Sequence, residues 1–110
     1  MIYLSVEDFF DQASRYSRLS REEEKLCAVK KNGGDAKARE ALINSYLPFV
    51  AALIRRQPKE NQRLHTVYAC IKVLDKAVDE FNFLQERETF TPYLSIRLKN
   101  CLIKCYVDRP

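Results

Sequence analysis

The chain has 110 residues, 46% of them hydrophobic, and a formal net charge of +4. That length supports one domain with one core of ordinary size. No apolar run approaches the roughly 20 residues that cross a bilayer, and the start MIYLSVEDFF lacks a basic signal region, so a cytoplasmic location without membrane contact is expected.

Only two glycines, which are adjacent, and four prolines are present. So few turn-forming residues suit a few long helices better than a sheet of many short strands. Ser5 can cap a first short helix running to about Tyr16, with Val6, Phe9, Phe10 and Ala13 turned inward. A second helix starts after Leu19-Ser20. Ser20 and Glu23 have the spacing of a capping box, and Glu22 and Glu24 add acids at the positive end of the helix dipole. Leu26 and Val29 are core candidates in this helix. Asn32-Gly33-Gly34 stops it, because glycine tolerates the left-handed backbone needed there, and Asp35 caps the next helix.

The third element covers 36–56, with a wide apolar face of Ala38, Leu42, Ile43, Leu47, Val50, Leu53 and Ile54. Pro48 interrupts it: either the helix bends there or a new helix starts at Leu47-Pro48. The polar, proline-containing stretch 57–62 reads as a loop. A central helix follows, in which Leu64, Val67, Ile71, Leu74, Val78 and Phe81 recur at spacings of three and four. Residues 84–88 are polar and aperiodic and form a connection. A last helix is expected with Thr91 as N-cap and Pro92 at its first position, where the missing N–H costs nothing. The whole is an all-α, compact bundle of about five helices.

The last helix has two distinct stripes. Leu94, Leu98, Cys101 and Cys105 form the side for burial. Tyr93, Arg97, Asn100 and Lys104 form a second row roughly 100° away around the helix. An aromatic ring, a guanidinium, an amide and an ammonium in one row are the groups that stack on and neutralise single-stranded nucleic acid. The charge distribution agrees. Arg97, Lys99, Lys104 and Arg109 stand against Asp108 at the rear, and Arg55, Arg56, Lys59 and Arg63 precede the central helix. The front carries Glu7, Asp8, Asp11 and Glu22 to Glu24.

Cys27, Cys70, Cys101 and Cys105 sit in helix-like apolar patterns without a Cys-x-x-Cys pair, so they read as buried free thiols and no metal or other cofactor is expected. His65, the single histidine, is given no catalytic role. No nucleophile adjoins a general base in a recognisable motif, so the chain is not expected to be an enzyme.

The wording AVDEFN, a short loop, then F-x-x-Y-x-x-x-x-(I/L)-(R/K) resembles region two of bacterial RNA polymerase sigma factors. The matching residues are Ala77, Val78, Asp79, Phe81, Phe90, Tyr93, Leu98, Lys99 and Leu102. Leu19 to Glu24, Leu26, Gly34-Asp35, Ala38 and Leu42-Ile43 resemble the family's segment ahead of that region. Tyr46-Leu47-Pro48-Phe49-Val50 resembles the Leu-Pro-Leu-Val wording of alternative sigma factors. The likeness covers roughly residues 17–107.

The resemblance implies one sigma region-two-like helical domain over 1–110. It would comprise an N-terminal helix (1–18), helices ahead of region two (19–57), and clamp-binding and promoter-opening helices (64–107). It also implies transcription initiation: binding to core RNA polymerase through the clamp coiled coil, and capture of the non-template strand of the promoter −10 element as it opens. Carried onto this sequence, the DNA-binding residues are Phe90, Tyr93, Ile96, Arg97, Asn100 and Lys104. Two departures stand out. Ile96-Arg97 replaces the paired tryptophans of primary sigma factors, which implies a different promoter. His65-Thr66-Val67-Tyr68-Ala69-Cys70 replaces the clamp-facing Asp-Leu-Ile-Gln-Glu-Gly, so His65, Tyr68, Lys72 and Asp75, with Lys76 near them, are the polymerase-contact candidates.

The family's −35-reading domain lies outside these residues. Either the chain is a fragment of a longer sigma factor or it is a stand-alone half, and weak DNA affinity without polymerase is expected. The alternative reading is a degenerate sigma-like interaction module. It would act as a co-factor or competitor without promoter recognition of its own, pairing with an anti-sigma factor or with a separate −35-reading subunit.

Overall fold

In the computed structural model, which describes residues 2–110, the first three helices begin where the sequence supplies side-chain caps. Ser5 Oγ accepts the Asp8 N–H at 3.0 Å and opens α1 (Val6–Ala13). Ser20 and Glu23 exchange hydrogen bonds of 3.1 and 2.9 Å as the expected capping box of α2 (Arg21–Asn32). Gly34 takes the left-handed turn at φ +95° that ends this segment. Asp35 Oδ1 accepts the N–H groups of Lys37 and Ala38 at 3.0 and 3.1 Å to start α3 (Ala36–Ser45). Then come α4 (Leu47–Arg55), a 3-10 turn (Lys59–Asn61), α5 (Leu64–Glu80) and α6 (Phe90–Val107).

The described residues contain no strand, and the fold is the all-α bundle expected. Among the described residues the five expected elements become six α-helices, because Pro48 divides the third. Of the two options at Pro48, a fresh start is the one realised: proline sits in the first turn of α4, where its missing N–H would have had no partner.

The core is one cluster that includes Phe9, Leu42, Val50, Leu74 and Leu98, all completely buried. Each such side chain contributes roughly 1.5–3 kcal/mol by leaving water. The apolar faces expected of α3, α4 and α5 do face this core, with Leu53, Leu64 and Ile71 at its margin. A buried polar clamp also fixes α6. Asn61 is fully enclosed, donates to the Leu102 carbonyl at 3.0 Å, and accepts from the Thr66 hydroxyl at 3.3 Å.

Three expectations are corrected. The first helix ends at Ala13 rather than near Tyr16, which is 42% exposed. Leu26 and Val29 are not core: they are 56% and 54% exposed, and α2 turns Glu24 and Ala28 inward instead. The reason is a polar partner. The Tyr46 hydroxyl, at the α3–α4 junction, donates to Glu24 Oε2, and this bond sets the rotation of α2. Burial, then the bond to Glu24, pushes the Tyr46 phenol well above its usual range. Third, α6 is capped at Thr89, not Thr91, and without a side-chain cap bond, so Pro92 is its third residue. The N–H lost there is still one of the four with no helical acceptor. Phe90 draws the start of the helix forward by entering an aromatic cluster with Tyr46, Phe81 and Phe83 at centroid distances of 4.8–5.2 Å.

Candidate nucleic-acid and partner interface

The row on α6 starts at Tyr93, which is half-buried. Its ring lies 4.9 Å from that of Phe81 on the core side. The Arg97 guanidinium lies over the ring, 3.8 Å from its centroid. Arg97, Asn100 and Lys104 are exposed, one turn after another. Beside Tyr93, Arg87, Glu88, Thr89, Pro92, Ile96 and Arg97 line a depression of about 470 Å³. Its wall is built by the loop before α6. There Gln85 Oε1 accepts the N–H groups of Arg87 and Glu88 at 2.7 and 2.9 Å, which holds the loop in one shape.

Phe90 is withdrawn from the DNA-facing set. It is 2% exposed and walled in by other rings, so no base can reach it. Its role is to hold Tyr93 up from beneath: the two ring centroids are 6.0 Å apart. Ile96, at 62% exposure, stays in the set and forms an apolar lip to the depression.

Arg97, Asn100 and Lys104 also face a groove between α5 and α6 of about 430 Å³, whose other side is Val73, Lys76, Ala77 and Glu80. The groove continues into a second hollow of about 640 Å³ that His65, Ala69, Lys72 and Asp75 line, with Lys76 and Lys104 common to both. Part of each set that the sequence places on a different helix, Arg97, Asn100 and Lys104 on α6 and His65, Lys72 and Asp75 on α5, therefore shares one trough. Its floor is small and apolar, from Ala69, Val73 and Ala77. Its rims carry Lys72, Lys76, Arg97 and Lys104. The acids at these rims are partly engaged. Asp75 pairs with Arg39 of α3 at 2.9 Å, and Glu80 lies 3.9 Å from Lys76.

Tyr68 stands apart from this trough. Its hydroxyl accepts the Tyr3 N–H at 2.8 Å, and its ring, 39% exposed, packs against the N-terminal segment. A partner at Tyr68 would have to accommodate that segment too. Val73, Arg87 and Pro92 belong to the candidate surface but escaped the sequence reading. Val73 could have been found as the next step of the Ala69 to Ala77 spacing. The loop residues carry no periodic signal.

Among the described residues no group of three or more His, Cys, Asp and Glu is placed to hold a metal ion, and no helix is long and apolar enough to cross a membrane. No family model, no curated protein and no solved structure matches the chain.

Proposed function

We propose that this chain is a sigma-like transcription initiation domain that binds core RNA polymerase and engages the non-template strand of the −10 element as the promoter opens. The observation that carries the reading is the Arg97 guanidinium lying over the Tyr93 ring at the edge of a depression on α6, with a basic trough running on from it. A flipped base needs a π-face to replace the stacking it loses, and such stacking contributes about 1–3 kcal/mol per base. Phe81 packs against Tyr93 from the core, and Arg97 lies over its ring. The platform offered to a base is therefore the outer face of the guanidinium, with the tyrosine as its support. Asn100 and Lys104 follow at spacings suited to sugar and phosphate contacts, and Lys72 and Lys76 extend the positive field. In this reading His65, Lys72 and Asp75 meet the polymerase clamp from the far end of the same trough.

A second reading, a sigma-like interaction module without promoter recognition, is favoured by a different feature of α6. Ile96, Ile103 and Val107 are 62%, 63% and 71% exposed, and their spacing puts them on one face of the helix. A phosphate backbone gains nothing from such a stripe, whereas a partner helix does.

The two are separated by one pair of measurements. Retention of the protein on core polymerase is scored first, then binding of a −10-like single strand by the retained complex. The initiation reading expects both, with Tyr93→Ala and Arg97→Ala each weakening strand binding by roughly 5- to 100-fold while retention is unchanged. Retention without strand preference would transfer the chain to the second reading. Failure to associate with core polymerase would end the first.

A further inference from the structure

Helix α6 has a third side, turned away from the core and from the trough. Ile96, Ile103 and Val107 follow one another along it, all largely exposed. By the helical period the three fall within an arc of about 40° and span about 16 Å of the axis. Single exposed apolar side chains are ordinary, but a row of them on one helix marks a contact surface. Beside the row lies a groove of about 340 Å³ between α4 and α6. Leu53, Leu102 and Ile103 give it an apolar lining, and Gln57 with the exposed Arg56 and Lys99 forms its polar rim. One buried side chain sets its width. Asn61 Nδ2 donates to Gln57 Oε1 at 2.9 Å and to the Leu102 carbonyl at 3.0 Å, which ties the end of α4 to α6. A side chain arriving from outside therefore meets a site already formed.

The charge around this groove has one sign. Neither α4 nor α6 contains an Asp or a Glu. Arg56, Lys59 and Lys99 are exposed, and among the described residues no carboxylate pairs with any of them. Glu60 in the 3-10 turn and Asp108 after α6 are the acids nearest to them in the chain. Unpaired cations around an apolar groove leave both the charge and the groove to be matched from outside.

We infer that the outer face of α6, with the groove it forms against α4, docks an acidic amphipathic helix of a partner protein. The partner's apolar stripe lies along Ile96, Ile103 and Val107 and seats one side chain in the groove between Leu53 and Ile103. Its flanking Asp and Glu residues meet Arg56 on one side and Lys99 on the other. Other occupants match this face less well. Two copies of it would set cations against cations. A bilayer has no side chain to place in the groove, and a phosphate backbone gains nothing from the apolar row. The inference names a partner chemistry for the stripe and holds under either reading of the trough. Of the residues it uses, only Ile96 also borders the depression beside Tyr93.

The probe is a synthetic peptide of about three heptads with Leu at positions a and d and Glu at e and g, whose own charge keeps it from pairing with itself. The full chain, labelled with nitrogen-15, is titrated with it and followed by amide chemical shifts. Saturable binding is expected, with the shifts centred on residues 53–57 and 99–107 rather than on the trough residues 65–76. Ile103→Ser combined with Val107→Ser should weaken binding by roughly 10-fold or more. Both side chains are exposed, so the melting temperature should hold, and binding of the −10-like strand should be unchanged because neither residue lines the trough or the depression. Arg56→Glu combined with Lys99→Glu should transfer the preference to the same peptide with Lys at e and g. The assignment is overturned if the Glu peptide does not bind, if wild type binds the Lys peptide equally well, or if the shifts centre on the trough. It is also overturned if the Ile103–Val107 double variant binds like wild type, or if the chain self-associates through that face instead. Binding of phosphatidylglycerol vesicles that the double variant loses, with no binding of the Glu peptide, would make the face a membrane surface and likewise end the assignment.

Discussion

Helices α2 and α6 lie against the same core but are held there by different forces. α6 presents Phe90, Leu94, Leu98 and Leu102 to the interior, each no more than 2% exposed. α2 buries only Ala28 and the carboxylate of Glu24, and leaves Leu26 and Val29 in water. Its attachment is polar. Tyr46 donates to Glu24, Lys25 meets Glu86 at 2.7 Å, the Arg21 guanidinium reaches the Gln85 carbonyl at 3.3 Å, and Lys31 reaches the Val78 carbonyl at 3.4 Å. Apolar burial is non-directional and large, so α6 can carry exposed functional groups on its other face without losing its place. Hydrogen bonds are directional and small in net effect, so α2 is set in rotation and register but weakly anchored.

The largest expected difference comes from paired apolar truncations. Phe90→Ala removes a ring enclosed by Tyr46, Phe81 and Phe83 and should cost about 3–5 kcal/mol, read from urea unfolding. Leu26→Ala takes away a side chain already half in water and should stay within about 0.5 kcal/mol. Equal losses at the two sites would erase the contrast. Next comes Tyr46→Phe, which keeps the ring against Phe90 but leaves the Glu24 carboxylate buried without its donor. An unsatisfied buried acceptor costs about 1–3 kcal/mol. Hydrogen exchange should show that the loss falls on α2 while the amides of α6 keep their protection.

Much of this arrangement was legible in the sequence, and the failures share a cause. The periods of α3 to α6 are read correctly because their inward residues are large and apolar, so the pattern and the burial coincide. In α2 they do not. The two most apolar residues face out, and the residue facing in is an acid whose partner is Tyr46, 22 positions away; no window on the helix itself contains that information. Phe90 shows the reverse case. It shares the stripe of Leu94 and Cys101, so the helical period alone puts it inside; the family wording drew it to the DNA-facing side. The row Tyr93, Arg97, Asn100 and Lys104 was readable because it lies on one helix. The trough was not, because its two walls belong to α5 and α6, and how two faces close on each other is decided by packing between helices rather than along either one.

A smaller effect tests the polar mode of attachment at a single residue. Ser20→Ala deletes the acceptor that satisfies the Glu23 N–H at 3.1 Å and should cost about 1 kcal/mol. Because α2 is the least firmly held helix, that loss should appear as fraying of its first turn in hydrogen exchange, with little change in the denaturant dependence of global unfolding.

The smallest effect concerns the pin between α3 and α5, and it carries a pH signature. Arg39 holds Asp79 through two hydrogen bonds of 2.9 and 2.7 Å and Asp75 through a third of 2.9 Å. The hydrogen bonds from Arg39 hold the Asp79 carboxyl below its usual range despite some desolvation. An unfolded aspartate titrates near pH 3.9, and the folded one titrates lower. The pair's contribution is thus fully present above the unfolded value and is lost as pH falls through the folded one. Both carboxylates are about half exposed, so the contribution at neutral pH should be under about 1 kcal/mol and should shrink in salt. Arg39→Met keeps most of the aliphatic stem and removes the charge. Compared with wild type, it should melt slightly lower at pH 7, and the gap should close only at pH below the folded Asp79 value, where the carboxyl is protonated in both states. A gap that persists at that acidity would mean that Arg39 acts through packing of its stem, and the attachment of α3 to α5 would then belong with α6 rather than with α2.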